Sequence, residues 1–218
     1  MILRICIVLG LFWNDGTQVL AENARCLGRT SATRTLVYLH GLESPHQKSA
    51  EEASNRLVLE RVARDLDYRV VLPEAPRICS KGKLCWPGSG REEILSTFGY
   101  LRQARAQCGV ANRPFVLLGF SNGGYYAFKL WKIERDPLLK LVIASGSAGQ
   151  WVAGVDRSHP HAPFRLMIGT NELTYKSAKQ LARDIQKSIP SFKLDSFNGG
   201  HRLDYPTLES ILKESSFF

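Results

Sequence analysis

The sequence runs to 218 residues, 44% hydrophobic and 22% charged. That balance excludes a disordered or fibrous chain and leaves one globular domain with a substantial core as the expectation. Twenty-nine Lys and Arg against 20 Asp and Glu give a net charge of +9. The cations are scattered over several segments and not interleaved with aromatics, so they read as a solvated basic surface and not as a nucleic-acid groove.

The first residues differ from the rest. Met1-Ile2-Leu3-Arg4 makes a positive start, Ile5 to Trp13 is an unbroken apolar run, and Asn14 to Gln18 is polar. Val19-Leu20-Ala21 then offers residues that a signal peptidase accepts. This layout predicts a cleaved export signal over residues 1–21 and a single mature domain over 22–218, secreted or periplasmic. The apolar run is far too short to cross a bilayer, so an integral membrane protein is not expected.

Without Cys6, the cysteines are Cys26, Cys79, Cys85 and Cys108, which allow three pairings. No histidine stands at ligand spacing beside them, which argues for disulfides over a metal site. In the strand assignment that follows, Cys26 and Cys108 fall at the bottom of a parallel sheet, and Cys79 and Cys85 in a loop leaving its top. The same-end pairing is therefore Cys26–Cys108 with Cys79–Cys85.

Residues 22–34 are polar and aperiodic and read as an arm. Thr35 to Leu39 is an apolar strand that delivers His40-Gly41-Leu42 into a loop. Ser49 to Leu66 reads as a helix, and Tyr68 to Leu72 as a strand stopped by Pro73. Pro73 to Gly90 is a long loop, a kind that is usually functional; its Trp86 either lines a substrate pocket or packs the loop down. A helix is expected over Arg91 to Gln107. Next comes the apolar run Phe115-Val116-Leu117-Leu118, then Gly119-Phe120-Ser121-Asn122-Gly123-Gly124, then a helical stretch from Tyr125 to Arg135.

Leu139 to Ser145 and Phe164 to Ile168 are further strands, the second ending in Gly169-Thr170-Asn171-Glu172. Lys176 to Ile189 is amphipathic, with Ala178, Leu181, Ala182, Ile185 and Ile189 recurring at intervals of three and four. Phe192 to Phe197 is the last strand. Asn198-Gly199-Gly200-His201 follows it, and Leu208, Ile211 and Leu212 mark a closing helix. Strands alternating with helices predict a mainly parallel sheet covered on both faces.

The chemistry centres on Ser121. A serine between glycines at a strand-to-helix corner is thrust over the end of the sheet, where the new helix aims its free N–H groups. A serine hydroxyl needs an imidazole to take its proton, and the imidazole needs a carboxylate to orient it. His201, after the last strand, is the candidate base. Glu172 is the candidate acid, ahead of Asp156 after the preceding strand and Asp204 in the histidine's own loop. His40 is expected to brace its loop. His159 and His161, separated by Pro160, read as loop residues and not as metal ligands.

The pieces Leu39-His40-Gly41-Leu42, Pro73 to Trp86, Gly119 to Gly124, Gly169 to Glu172 and Gly200-His201 together resemble the α/β-hydrolase superfamily. Within it the chain is similar to the small carboxylesterases of the acyl-protein thioesterase and polyhydroxybutyrate-depolymerase kind. The resemblance implies a three-layer α/β-hydrolase fold with little or no lid, oxyanion N–H donors at Leu42 and Asn122, and Trp86 bordering the acyl pocket. It also implies hydrolysis of small or medium acyl esters or thioesters through an acyl-enzyme, with neither cofactor nor metal. The sequence departs from the family in carrying Glu172 where aspartate is usual, and in lacking room for the antiparallel strands that open larger members. A peptidase or acyltransferase on the same scaffold, or a catalytically silent binding protein, are the alternatives.

Overall fold

The computed structural model describes residues 24–45, 49–86, 90–133, 136–147, 162–187 and 189–214. The expected signal segment lies outside them, as do Asp156, His159 and His161. In chain order the strands and helices begin β1 (Arg25–Leu27), β2 (Arg34–Leu39), α1 (Ala50–Asp65), β3 (Tyr68–Leu72), β4 (Arg77–Ile78) and β5 (Leu84–Cys85). They continue α2 (Arg91–Gln107), β6 (Phe115–Phe120), α3 (Asn122–Ile133), β7 (Leu139–Ser145) and β8 (Phe164–Gly169). The chain closes with α4 (Tyr175–Gln186), β9 (Phe192–Phe197) and α5 (Tyr205–Glu214).

Among the described residues, seven strands form one sheet in the order β1-β3-β2-β6-β7-β8-β9. From β3 through β9 each neighbouring pair is parallel. Alternation along each strand sends residues to opposite faces. Leu36, Val116, Leu118 and Ile143 pack with Leu59 and Val62 of α1 and Leu208 and Ile211 of α5. Val37, Leu117, Val142 and Leu166 pack with Leu101 of α2, Leu130 and Trp131 of α3, and Leu181 of α4. Helices thus cover both faces, giving three layers. The helix starts follow local chemistry: the Ser49 hydroxyl accepts the Glu52 N–H at 3.1 Å, and Glu51 and Glu52 lie at the positive end of α1.

Two segments depart from the sequence expectations. The expected arm contains β1, which pairs antiparallel with β3, and the expected long loop contains the two-residue strands β4 and β5, paired antiparallel. Strands this short are held by backbone hydrogen bonds and neighbouring covalent links, so they leave no side-chain periodicity to read. Both carry disulfides, in the same-end pairing: Cys26–Cys108 with Cα atoms 5.7 Å apart, and Cys79–Cys85 at 5.9 Å. Among the described residues no helix is long and apolar enough to cross a membrane.

The Cys26–Cys108 link spans 82 positions, for which chain entropy alone gives about 4.5 kcal/mol. Replacing both cysteines by serine is expected to lower the unfolding free energy by about 2–4 kcal/mol in a urea titration. A loss under about 0.5 kcal/mol would mean that β1 and β3 hold together without the bond.

Candidate active site

In the sheet β2 and β6 are neighbours, yet the chain proceeds from β2 toward β3 and from β6 toward β7. Such a reversal opens a crevice at the carboxyl ends of the two strands. His40-Gly41-Leu42 leaves β2 there, and Ser121 leaves β6. Ser121 has φ 52°, a left-handed conformation uncommon for a residue with a side chain. Its N–H donates to the Ser145 carbonyl at 2.8 Å, and its carbonyl accepts the Tyr125 N–H at 3.0 Å, so the corner passes directly into α3. The flanking glycines make this possible. A Cβ at Gly119 would overlap the Gly123 carbonyl, and one at Gly123 would overlap the Leu39 carbonyl. Asn122 is the first residue of α3, where N–H groups have no intrahelical acceptor and carry the positive end of the helix dipole.

Glu172 and His201 leave β8 and β9, whose last residues Gly169 and Phe197 are paired in register. One carboxylate oxygen of Glu172 accepts the Gly169 N–H at 3.1 Å, and the other lies 2.9 Å from His201 Nδ1. The Glu172 side chain is 4% exposed and that of His201 36%. Because an ionised carboxylate only accepts, Nδ1 carries the proton and Nε2 of the neutral ring is left basic. The hydrogen bond to Glu172 holds the His201 pKa above the ordinary imidazole value, against the opposing effect of burial. The ring rests on Phe120, centroids 4.7 Å apart, immediately before Ser121. A Cβ at Gly146 would stand 2.7 Å from His201 Cε1, and Gly146 itself has φ 62°. The imidazole is therefore laid across the ends of β6 and β7. Ser121 and His201 do not hydrogen-bond each other.

The remaining candidates sort by their partners. Asp204 accepts the N–H and hydroxyl of Thr207, at 3.2 and 2.7 Å, at the start of α5. His40 is buried; the Ala75 N–H donates to Nε2 at 3.0 Å, which leaves Nδ1 protonated and donating to the Gly41 carbonyl at 2.6 Å. With both nitrogens engaged, His40 is a brace and not a base. The Leu42 side chain is 47% exposed. Trp86, expected to border an acyl pocket, is only 3% exposed and stacks on Tyr126 at 6.0 Å. It packs its loop down. A cavity of about 500 Å³ lies beyond the His40 loop, with Tyr38, Glu43, Glu52 and Glu74 in its lining; Ser121 is not among the lining residues. Among the described residues no group of three His, Cys, Asp or Glu could hold a metal ion.

Sequence reasoning missed Gly146 and Phe120 as the seat of the imidazole. A glycine following the Ser145 strand end was visible, but its relation to His201 depends on a contact between distant segments.

No family model and no curated protein matches the sequence. Solved structures do match it. Esterase PE8 superposes with a TM-score of 0.65 at 20% identity, covering 88% of this chain and 98% of its own. The carboxylesterase from Mesorhizobium loti gives 0.65 at 16% identity, covering 91% and 96%. Arabidopsis thaliana SOBER1 gives 0.57 at 16% identity, covering 83% and 96%. The chain has the α/β-hydrolase fold. Ser121, Glu172 and His201 follow β6, β8 and β9 at the carboxyl-terminal edge of this sheet.

If the Glu172 carboxylate sets the imidazole's proton affinity, Glu172→Gln lowers the His201 pKa measured by NMR titration of the ring protons. An unchanged value would remove the carboxylate as its cause.

Proposed function

We propose that this chain is a serine esterase that hydrolyses small or medium acyl esters or thioesters through an acyl-enzyme, without a cofactor. The observation that carries the reading is the left-handed serine at a strand-to-helix corner together with an imidazole that rests on the preceding Phe120 and has its Nδ1 bonded to a buried carboxylate. Three of the fold's neighbours bear on the chemistry as well: PE8 is an esterase, and the Mesorhizobium loti and Pyrococcus furiosus proteins are a carboxylesterase and an esterase.

In the proposed reaction the Ser121 oxygen attacks the ester carbonyl carbon as its proton passes to His201 Nε2. The carbonyl oxygen becomes an oxyanion, received by the N–H groups of Leu42 and Asn122. Collapse expels the alcohol or thiol, which takes the proton from His201, and the acyl group stays on Ser121. Water repeats the sequence and releases the acid. The proposed reaction requires a Ser121–His201 hydrogen bond to form as substrate enters, since catalytic hydrogen bonds often become aligned only in the substrate complex. Glu172 holds Nδ1 and favours the transient imidazolium. Among the described residues no insertion forms a lid, which suits the site to short acyl chains. The two disulfides and the expected export signal together support a secreted or periplasmic location.

Ser121→Ala is expected to reduce turnover of a p-nitrophenyl ester by about 10⁶-fold and to abolish labelling by a fluorophosphonate; retained hydrolysis would end the esterase reading. The base must be neutral, so kcat/KM rises with pH through the His201 pKa, and its acid limb falls above the ordinary value of about 6.5. In Glu172→Gln that limb moves to lower pH and the plateau drops by about 10⁴-fold. A larger loss in Asp156→Asn than in Glu172→Gln would transfer the acid's role to Asp156. Product analysis with added alcohol and amine acceptors separates hydrolysis from acyl transfer.

A further inference from the structure

We propose that Trp86 is a positioning residue for the oxyanion site and that the Cys79–Cys85 disulfide holds it in place; the inference rests on the esterase reading. Trp86 has two N–H groups, one bonded to the first residue of α3 and the other to the loop after β2. Its backbone N–H donates to Asn122 Oδ1 at 3.0 Å, and its indole Nε1–H donates to the His40 carbonyl at 2.9 Å. Those two segments carry the proposed oxyanion donors, Asn122 at the start of α3 and Leu42 after β2. The β2–β6 ladder runs only as far as Leu39 and Gly119. Past that point Trp86 spans the two strand ends.

The neighbouring backbone completes the grip. Leu84 and Glu43 exchange hydrogen bonds, Glu43 N–H to Leu84 O at 3.3 Å and Leu84 N–H to Glu43 O at 2.6 Å. Leu42 therefore sits between two residues, His40 and Glu43, that are each bonded to the segment 84–86. The indole is fixed in turn by Tyr126, whose hydroxyl is 2.6 Å from that of Thr97. The hairpin that delivers this segment has only two paired positions, too few to persist unaided. Cys85, directly before Trp86, is covalently tied to Cys79 across that hairpin. Oxyanion stabilisation requires donors about 2.7–3.1 Å from the developing charge, and misplacement by about 1 Å can cost about a hundredfold in rate. A brace on both segments acts on that distance.

Trp86→Phe keeps an aromatic ring and the backbone N–H and removes the indole donor together with part of the ring that packs on Tyr126. The expected result is a fall in kcat of about tenfold to a hundredfold, KM held within about twofold, and weaker inhibition by a boronic acid that forms a tetrahedral adduct, in proportion to the kcat loss. Cys79→Ser with Cys85→Ser is expected to lower kcat in the same direction. Cys26→Ser with Cys108→Ser is expected to leave kcat unchanged when assayed well below its Tm. A wild-type kcat in the Cys79/Cys85 variant, or a Trp86→Phe effect confined to KM, overturns the proposal while an inactive Ser121→Ala leaves the esterase reading standing. Should Trp86→Phe fail to fold, the Cys79/Cys85 variant decides alone. Absence of Ser121-dependent hydrolysis in the wild type removes both readings together.

Discussion

The backbone turn at Ser121 is the constraint on which the rest of this structure depends. Holding a serine at φ 52° costs about 1–3 kcal/mol. The strand leading into it is buried at all six positions, and each large apolar side chain there is worth about 1.5–3 kcal/mol as an upper estimate. Burial of Val116, Leu117, Leu118 and Phe120 therefore outweighs the strain several times over. The corner is also held from the side, through the Ser121 N–H and the Ser145 carbonyl on the adjacent strand. Relaxing it would mean withdrawing β6 from the middle of the sheet.

Glutamate at position 172 follows from the same close geometry. It stands three residues beyond Gly169, and its carboxylate turns back so that one oxygen takes the Gly169 N–H while the other meets His201. The first bond fixes the plane of the carboxylate, which aims the second, much as a glutamate in a capping box reaches back to an earlier N–H. An aspartate here would be shorter by one C–C bond, roughly 1.5 Å, and could not serve both partners from the same backbone. The extra methylene is thus matched to this turn. The imidazole is located from the opposite side by Phe120 and by the open space at Gly146.

How legible all this was depended on whether a feature is local. The strands β2, β3, β6, β7 and β8 are largely apolar runs bounded by turn residues, β9 has Phe192, Leu194 and Phe197 spaced among polar residues, and α4 carries its apolar stripe on its surface, so their existence could be read directly. The serine corner was legible because a strand, two glycines and a helix start are all adjacent in the chain. β1, β4 and β5 were not, since a strand of two or three residues has no period and depends on a partner and a disulfide elsewhere. Trp86 illustrates a different limit. The same indole can line a pocket or seal one, and the choice rests on where the His40 carbonyl and Asn122 amide lie, which is a matter of tertiary geometry. Gly146 is similar: only the arrival of His201 gives its missing side chain a purpose.

The two disulfides make a related point about position outweighing loop length. In the chain-entropy picture, a separation of 82 residues is worth about 4.5 kcal/mol and one of 6 residues about 2.2 kcal/mol, because the dependence is logarithmic. Their effects on the unfolded chain thus differ only about twofold. Their places in the folded chain differ far more. Cys26–Cys108 fastens the edge strand β1 to the end of α2, remote from the crevice. Cys79–Cys85 fastens a hairpin whose next residue bonds to the loop after β2 and to the start of α3. The first link bears on whether the sheet stays assembled at its edge. On the proposed reading, the second bears on the spacing of the Leu42 and Asn122 N–H groups, which stability measurements would not register.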